Sequence, residues 1–131
     1  MKLARRYLEW AEADFQSGDW SRCVASAQLA VENAGKSIVA CYGPVPRTHD
    51  PAEAIAELVM PALPEDLAVE LKEVLPLFRE YGGRVHVAAT YGDERHLVAP
   101  WEIFREEDAR RAVEAARQCV HLAEKVLERS S

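Results

Sequence analysis

The sequence predicts an all-α fold, an antiparallel up-and-down bundle of four main helices plus a short fifth, and three observations carry that prediction. Apolar residues recur at alternating steps of four and three along most of the chain, the mark of amphipathic helices. No segment alternates apolar and polar residues with the period of two that a half-buried strand needs. The helical segments are long and joined by short links, which makes consecutive helices antiparallel neighbours.

Ala4, Leu8, Ala11 and Phe15 share one face of a helix running from about residue 2 to Ser17, and Gly18-Asp19 breaks it. Asp19 is placed to cap a second helix, in which Trp20, Val24, Ala27, Val31, Ala34, Ile38 and Cys41 form the most regular stripe in the chain. Cys23, Ala27, Ala30, Ala34 and Ser37 widen that stripe with small side chains, so a neighbouring helix can approach its backbone closely. Gly43, Pro44 and Pro46 end it. The chain restarts at THDP, with Asp50 as N-cap and Pro51 at the first helical position of a short helix from 51 to about 60.

From Glu65 the set Leu67, Leu71, Val74, Phe78, Tyr81 and Val85 again steps by four and three. An interior proline costs a helix ~3 kcal/mol and each glycine ~1, so Pro76 and Gly82-Gly83 predict a kink or a division into two helices. A loop containing GDERHLVAPWEIF leads to a last helix from about Glu106, where Glu106, Glu107 and Asp108 complement the helix dipole. Ala109, Val113, Ala116, Val120, Ala123 and Leu127 are its core face.

A chain of 131 residues with 49% hydrophobic and 29% charged residues is expected to make one globular domain over 1–131, large enough to need neither disulfides nor a structural metal. No stretch approaches the ~18 apolar residues of a membrane span and the N-terminus has no signal-peptide core, so a cytoplasmic protein away from the membrane is expected. A net charge of −6 argues against a domain-wide basic surface for nucleic acid, while leaving room for a local phosphate-binding patch. Cys23, Cys41 and Cys119 are odd in number and have no C-x-x-C spacing, which reads as three small buried hydrophobes. No phosphate-binding loop, zinc-protease motif or nucleophile elbow is present, and no cofactor is expected.

Residues 86–96, HVAATYGDERH, hold the densest group of chemistry-bearing side chains. Tyr91, Asp93 and Glu94 place a hydroxyl and two carboxylates at a helix C-terminus, where the dipole disfavours acids, with Arg95 and His96 beside them. Two readings stand: a binding cluster, or a helix ended by Gly92 with the acids in solvent pairing Arg95. Gln28, Glu32 and Lys36 step by four on the second helix and read as a surface row of hydrogen bonds and ion pairs. His49, just before the Asp50 cap, reads as a partner for a helix end, and Trp10, Trp20 and Trp101 as packing anchors or, alternatively, stacking platforms for bases.

QLAVENAGKSIVACYG in the second helix, the histidine in THDP, and ATYGDE ahead of a long loop and an alanine-rich last helix together make a pattern that resembles the HEPN family of small prokaryotic helical-bundle proteins. The resemblance covers nearly the whole chain and is strongest over DFQSGDWSRCVASAQLAVENAGKSI and over TYGDE followed by PWEIFREEDARRAVEAA. It implies a homodimer, often paired with a minimal nucleotidyltransferase in toxin–antitoxin modules. Some members are metal-independent ribonucleases, in which an arginine holds phosphate and a histidine, separated from it by four to six residues, assists proton transfer at the dimer interface. Others lack that pair and act as binding modules.

Many simple members carry arginine just before the tyrosine of the segment matching TYGDE, where this chain has Thr90. Arg95-His96 is adjacent rather than spaced, and Arg117 to His121 is one residue short. Arg79 and His86, separated by six residues across Gly82-Gly83, are the one spaced pair. The expectation is therefore a non-catalytic dimeric module that binds a nucleotidyltransferase partner or a nucleotide. The alternative is a metal-independent ribonuclease toxin acting on RNA through Arg79 and His86, with Tyr91 assisting across the dimer.

Overall fold

The computed structural model describes residues 1–44, 51–81 and 103–130. Helices α1 (Lys2–Gln16), α2 (Trp20–Ala40), α3 (Ala52–Ala54), α4 (Glu65–Glu80) and α5 (Glu106–Arg129) make up its framework, and among the described residues there is no strand. No helix among them is long and apolar enough to cross a membrane.

The turn between α1 and α2 is set by Gly18, whose φ of 77° lies in the left-handed region that a side chain disfavours. Asp19 then caps α2 by accepting from the Arg22 amide at 3.2 Å, as its position in the sequence predicts. The two helices run antiparallel, with the Ser26 hydroxyl donating to Asp14 at 3.1 Å near the turn and the amino terminus reaching Ser37 Oγ at 3.4 Å at the far end. α5 runs antiparallel to α1, through Arg5–Glu124 at 3.2 Å and Arg117–Glu12 at 3.7 Å. It is antiparallel to α4 as well, through Arg129–Asp66 at 2.5 Å, Lys125–Glu70 at 2.9 Å and Arg111–Glu80 at 3.6 Å. The result is the expected up-and-down bundle.

α2 is the central post, packed mainly against α1 and α5. Cys23, Ala27, Ala30 and Ala34 on α2 and Ala109, Ala112, Ala116, Cys119 and Ala123 on α5 are all buried, so these two helices can approach closely while Phe78, Ile38, Ile55, Leu71 and Leu122 fill the wider parts of the core. Burial and approach meet at Gly35, where an added Cβ would run into the Pro51 ring and lie 3.2 Å from Phe78 and 3.3 Å from Ile55.

Three details depart from the sequence reading. The helix expected over 51–60 is a single α turn at Ala52–Ala54 that widens into a π-helical turn, Ile55–Val59, and tightens into a 3₁₀ turn, Met60–Ala62. Pro61 has no amide to donate and its ring crowds the carbonyl four residues back, and the segment changes to a 3₁₀ turn at this proline. Pro51 stands at the N-cap, one position before the first helical residue; Asp50, its expected cap, and His49 lie outside the described residues. α4 passes through Pro76 unbroken, since Lys72 and Pro76 are both exposed and the orphaned carbonyl faces water; the Gly82-Gly83 division lies outside the described residues.

Candidate functional site

Among the described residues, two sets of side chains have chemical capacity: a buried polar row on the α4-facing side of α2, and an ionisable group at the C-terminal end of α4. Gln28 and Glu32 are 0% and 2% exposed, so the expected surface row is a correction: these polar groups lie inside the protein. The row fails as a surface because α2 is covered on three sides. Val24, one turn before Gln28, borders a cavity with Tyr81, the C-cap of α4, and Gly35, one turn after Glu32, touches Phe78 of that helix. Gln28 and Glu32 therefore lie on the α4-facing side of α2. Glu32 holds the Lys36 ammonium at 3.0 Å, and Lys36 leads from that buried carboxylate to the surface.

At the end of α4, Glu80 pairs with Arg111 of α5 at 3.6 Å. Glu80, Tyr81 and Arg111 separate two hollows. One, of about 110 Å³, is also lined by Val24, Phe104 and Asp108; the other, a cleft of about 300 Å³ between α4 and α5, adds Leu77, Ala115 and Gln118. Asp108 is occupied in accepting from the Arg105 amide at 2.9 Å, which fixes the start of α5. The Tyr81 phenol is pushed up to about 12 by burial and then by the charge of Glu80, so at neutral pH it stays protonated and can only donate or accept a hydrogen bond.

Arg79 lies in the last turn of α4, exposed, with no ion pair to another described residue. Its expected partner His86, and Tyr91, Asp93, Glu94, Arg95 and His96, lie outside the described residues, as do Thr90 and Trp101. Two other expectations divide. Cys23 and Cys119 are buried, with the Cys23 thiol raised to about 12 and that of Cys119 raised further by desolvation, but Cys41 is exposed at the end of α2. Trp20 packs against Phe15 at 5.4 Å as an anchor, whereas Trp10 is 49% exposed and anchors nothing in the core. Among the described residues no three His, Cys, Asp or Glu side chains converge as a metal site would require.

Sequence reasoning missed the burial of Gln28 and Glu32. Periodicity alone gave no signal for it, because Gln28 and Glu32 are covered only by the additional neighbour that packs on that side of α2.

These features define a small antiparallel helical-bundle domain with a buried polar row against the end of its fourth helix. The profile of the HEPN domain matches residues 1–128, and the chain belongs to that family. Its fold is shared with the crystal structure of TT1696 from Thermus thermophilus, at 24% identity over 95% of this chain and 93% of that one, with a TM-score of 0.71. No curated protein matches.

Proposed function

We propose that this HEPN domain is a homodimeric binding module, non-catalytic, whose partner is a nucleotidyltransferase protein or a nucleotide, within a toxin–antitoxin pair. The observation that carries the reading is the absence, in the sequence, of the family-like arginine: Thr90 stands in its place. The chemistry-bearing side chains of α2 and of the end of α4, taken separately, are suited to holding rather than to proton exchange. Lys36 is a cation fixed by a buried carboxylate, Arg79 is an exposed cation, and Tyr81 keeps its proton. Such a set offers charge and hydrogen bonds to an anionic ligand or an acidic partner surface.

The exposure of Arg79, with no described ion-pair partner of its own, favours one second reading, a metal-independent ribonuclease using Arg79 for phosphate charge and His86 for proton transfer. A single assay separates the two. Purified protein incubated with single-stranded RNA and a chelator leaves it intact over hours under the first reading, and Arg79→Ala and His86→Ala behave like the parent. Cleavage that falls ~100-fold or more in either variant establishes the ribonuclease instead.

A further inference from the structure

We propose that the face of α1 bearing Leu3, Tyr7 and Trp10 is where a second copy of this chain docks, α1 against α1 in antiparallel register. This rests on the homodimer reading above and adds the surface. Leu3 and Trp10 are 52% and 49% exposed, and Tyr7 meets the Trp10 ring edge-on at 5.4 Å, so the row is both apolar and held in shape. The register set by Asp14–Ser26 and Met1–Ser37 lays Leu29 and Asn33 of α2 alongside it. Between Arg22 and Lys36 the outward row of α2 carries no charge, which widens the strip beyond one helix.

The charges of α1 identify the occupant. Its cations, Lys2, Arg5 and Arg6, precede its anions, Glu9, Glu12 and Asp14, with no acid in the first turn and no base in the last. That order opposes the helix dipole, so it needs a cause outside the helix. For Arg5 and Glu12 the cause is α5, which pairs both, and Asp14 accepts from Ser26. Lys2, Arg6 and Glu9 remain. Arg6 and Glu9 are 3.6 Å apart but both exposed and in the less favourable orientation, and Lys2 pairs with no described residue.

A second copy related by a two-fold axis passing near Arg6 and Tyr7 supplies the missing cause for Lys2 and Glu9, while the two Arg6 side chains meet near the axis, each beside its own Glu9 at 3.6 Å. Leu3 of each copy then lies across from Trp10 of the other, and Glu9 of each lies across from Lys2 of the other. One row thus satisfies both an apolar centre and its charged rim, as an isologous contact requires.

Sedimentation equilibrium or light scattering of the full chain tests this. The parent is expected at twice the 14.7 kDa chain mass, and the Leu3→Glu, Trp10→Glu double variant at the single mass with its helical circular dichroism retained, since neither side chain is in the core. Glu9→Lys is expected to raise the dissociation constant about tenfold, and Lys2→Glu, Arg6→Glu added to it to restore most of that loss. A monomeric parent overturns the homodimer reading and this surface together. A dimeric parent whose double variant stays dimeric overturns the surface alone. If the double variant loses helicity, the charge series decides: a dissociation constant indifferent to Glu9→Lys sinks the proposal.

Discussion

Gly35 shows how a single position can fix the geometry of the polar row. With Pro51, Phe78 and Ile55 packed onto its α-carbon, α2 lies close to the end of α4, so Glu32 is held one turn before that contact and Lys36 directly after it. Gly35→Ala gains helix propensity of ~1 kcal/mol but must displace the Pro51 ring, and overpacking of this kind costs about 1–3 kcal/mol. The expected outcome of thermal melts is a net loss of several degrees; a variant as stable as the parent would show that the contact is loose. This glycine was invisible to pattern reading, because a helix-interior glycine looks the same whether it faces solvent or a proline ring. Gln28 and Glu32 were misread for a related reason: periodicity locates the centre of an apolar stripe, but how far burial extends around the helix depends on how many neighbours cover it.

Elements were more legible than residues wherever one pattern ran for four turns or more. α1, α2 and α5 begin within a residue or two of their expected starts, Asp19 caps α2, and the acids expected to complement the dipole stand in the first turn of α5. Legibility fails over Pro51–Ala62, where the segment passes through three helix types, the last of them at Pro61. It fails differently at Pro76, which costs α4 a hydrogen bond without ending it. Pro76→Ala restores an amide that can donate to the Lys72 carbonyl, at a modest cost from a more flexible unfolded chain, so it is expected to stabilise the domain by about 1–3 kcal/mol. Urea unfolding would register a higher midpoint with an unchanged slope. A lower midpoint would mean that the proline bends α4 onto its neighbours in a way that alanine does not. For the candidate site, the sequence supplied residue types and spacing but not which of them face each other; Arg79 is exposed, while its expected partner falls outside the described residues.

At the scale of the whole molecule, three buried acids among the described residues bear on stability at alkaline pH. Cys23 is raised from 9.0 to about 12, Tyr81 from 10.0 to about 12, and Cys119 in the same direction, each chiefly by burial. A group whose pKa is raised by folding keeps its proton where the unfolded chain has already released one. Its contribution is therefore complete below the unfolded value and is lost as pH rises toward the folded one. Under reducing conditions the urea midpoint is expected to hold from pH 7 to about 8.5 and to fall steeply between about 9 and 11. A flat profile across that interval would mean that water reaches these groups freely.

The central position of α2 also has a consequence in time. On a ribosome the α1–α2 hairpin is complete early, yet the wall that covers Cys23 and the alanine row of α2 belongs to α5, which does not begin until Glu106. During the interval the nascent chain carries an uncovered apolar seam made of small side chains, and only the arrival of the last helix closes it. A nascent chain halted before Glu106 is therefore expected to expose this seam, and any agent that delays the last helix prolongs the window in which the seam can be captured by something else.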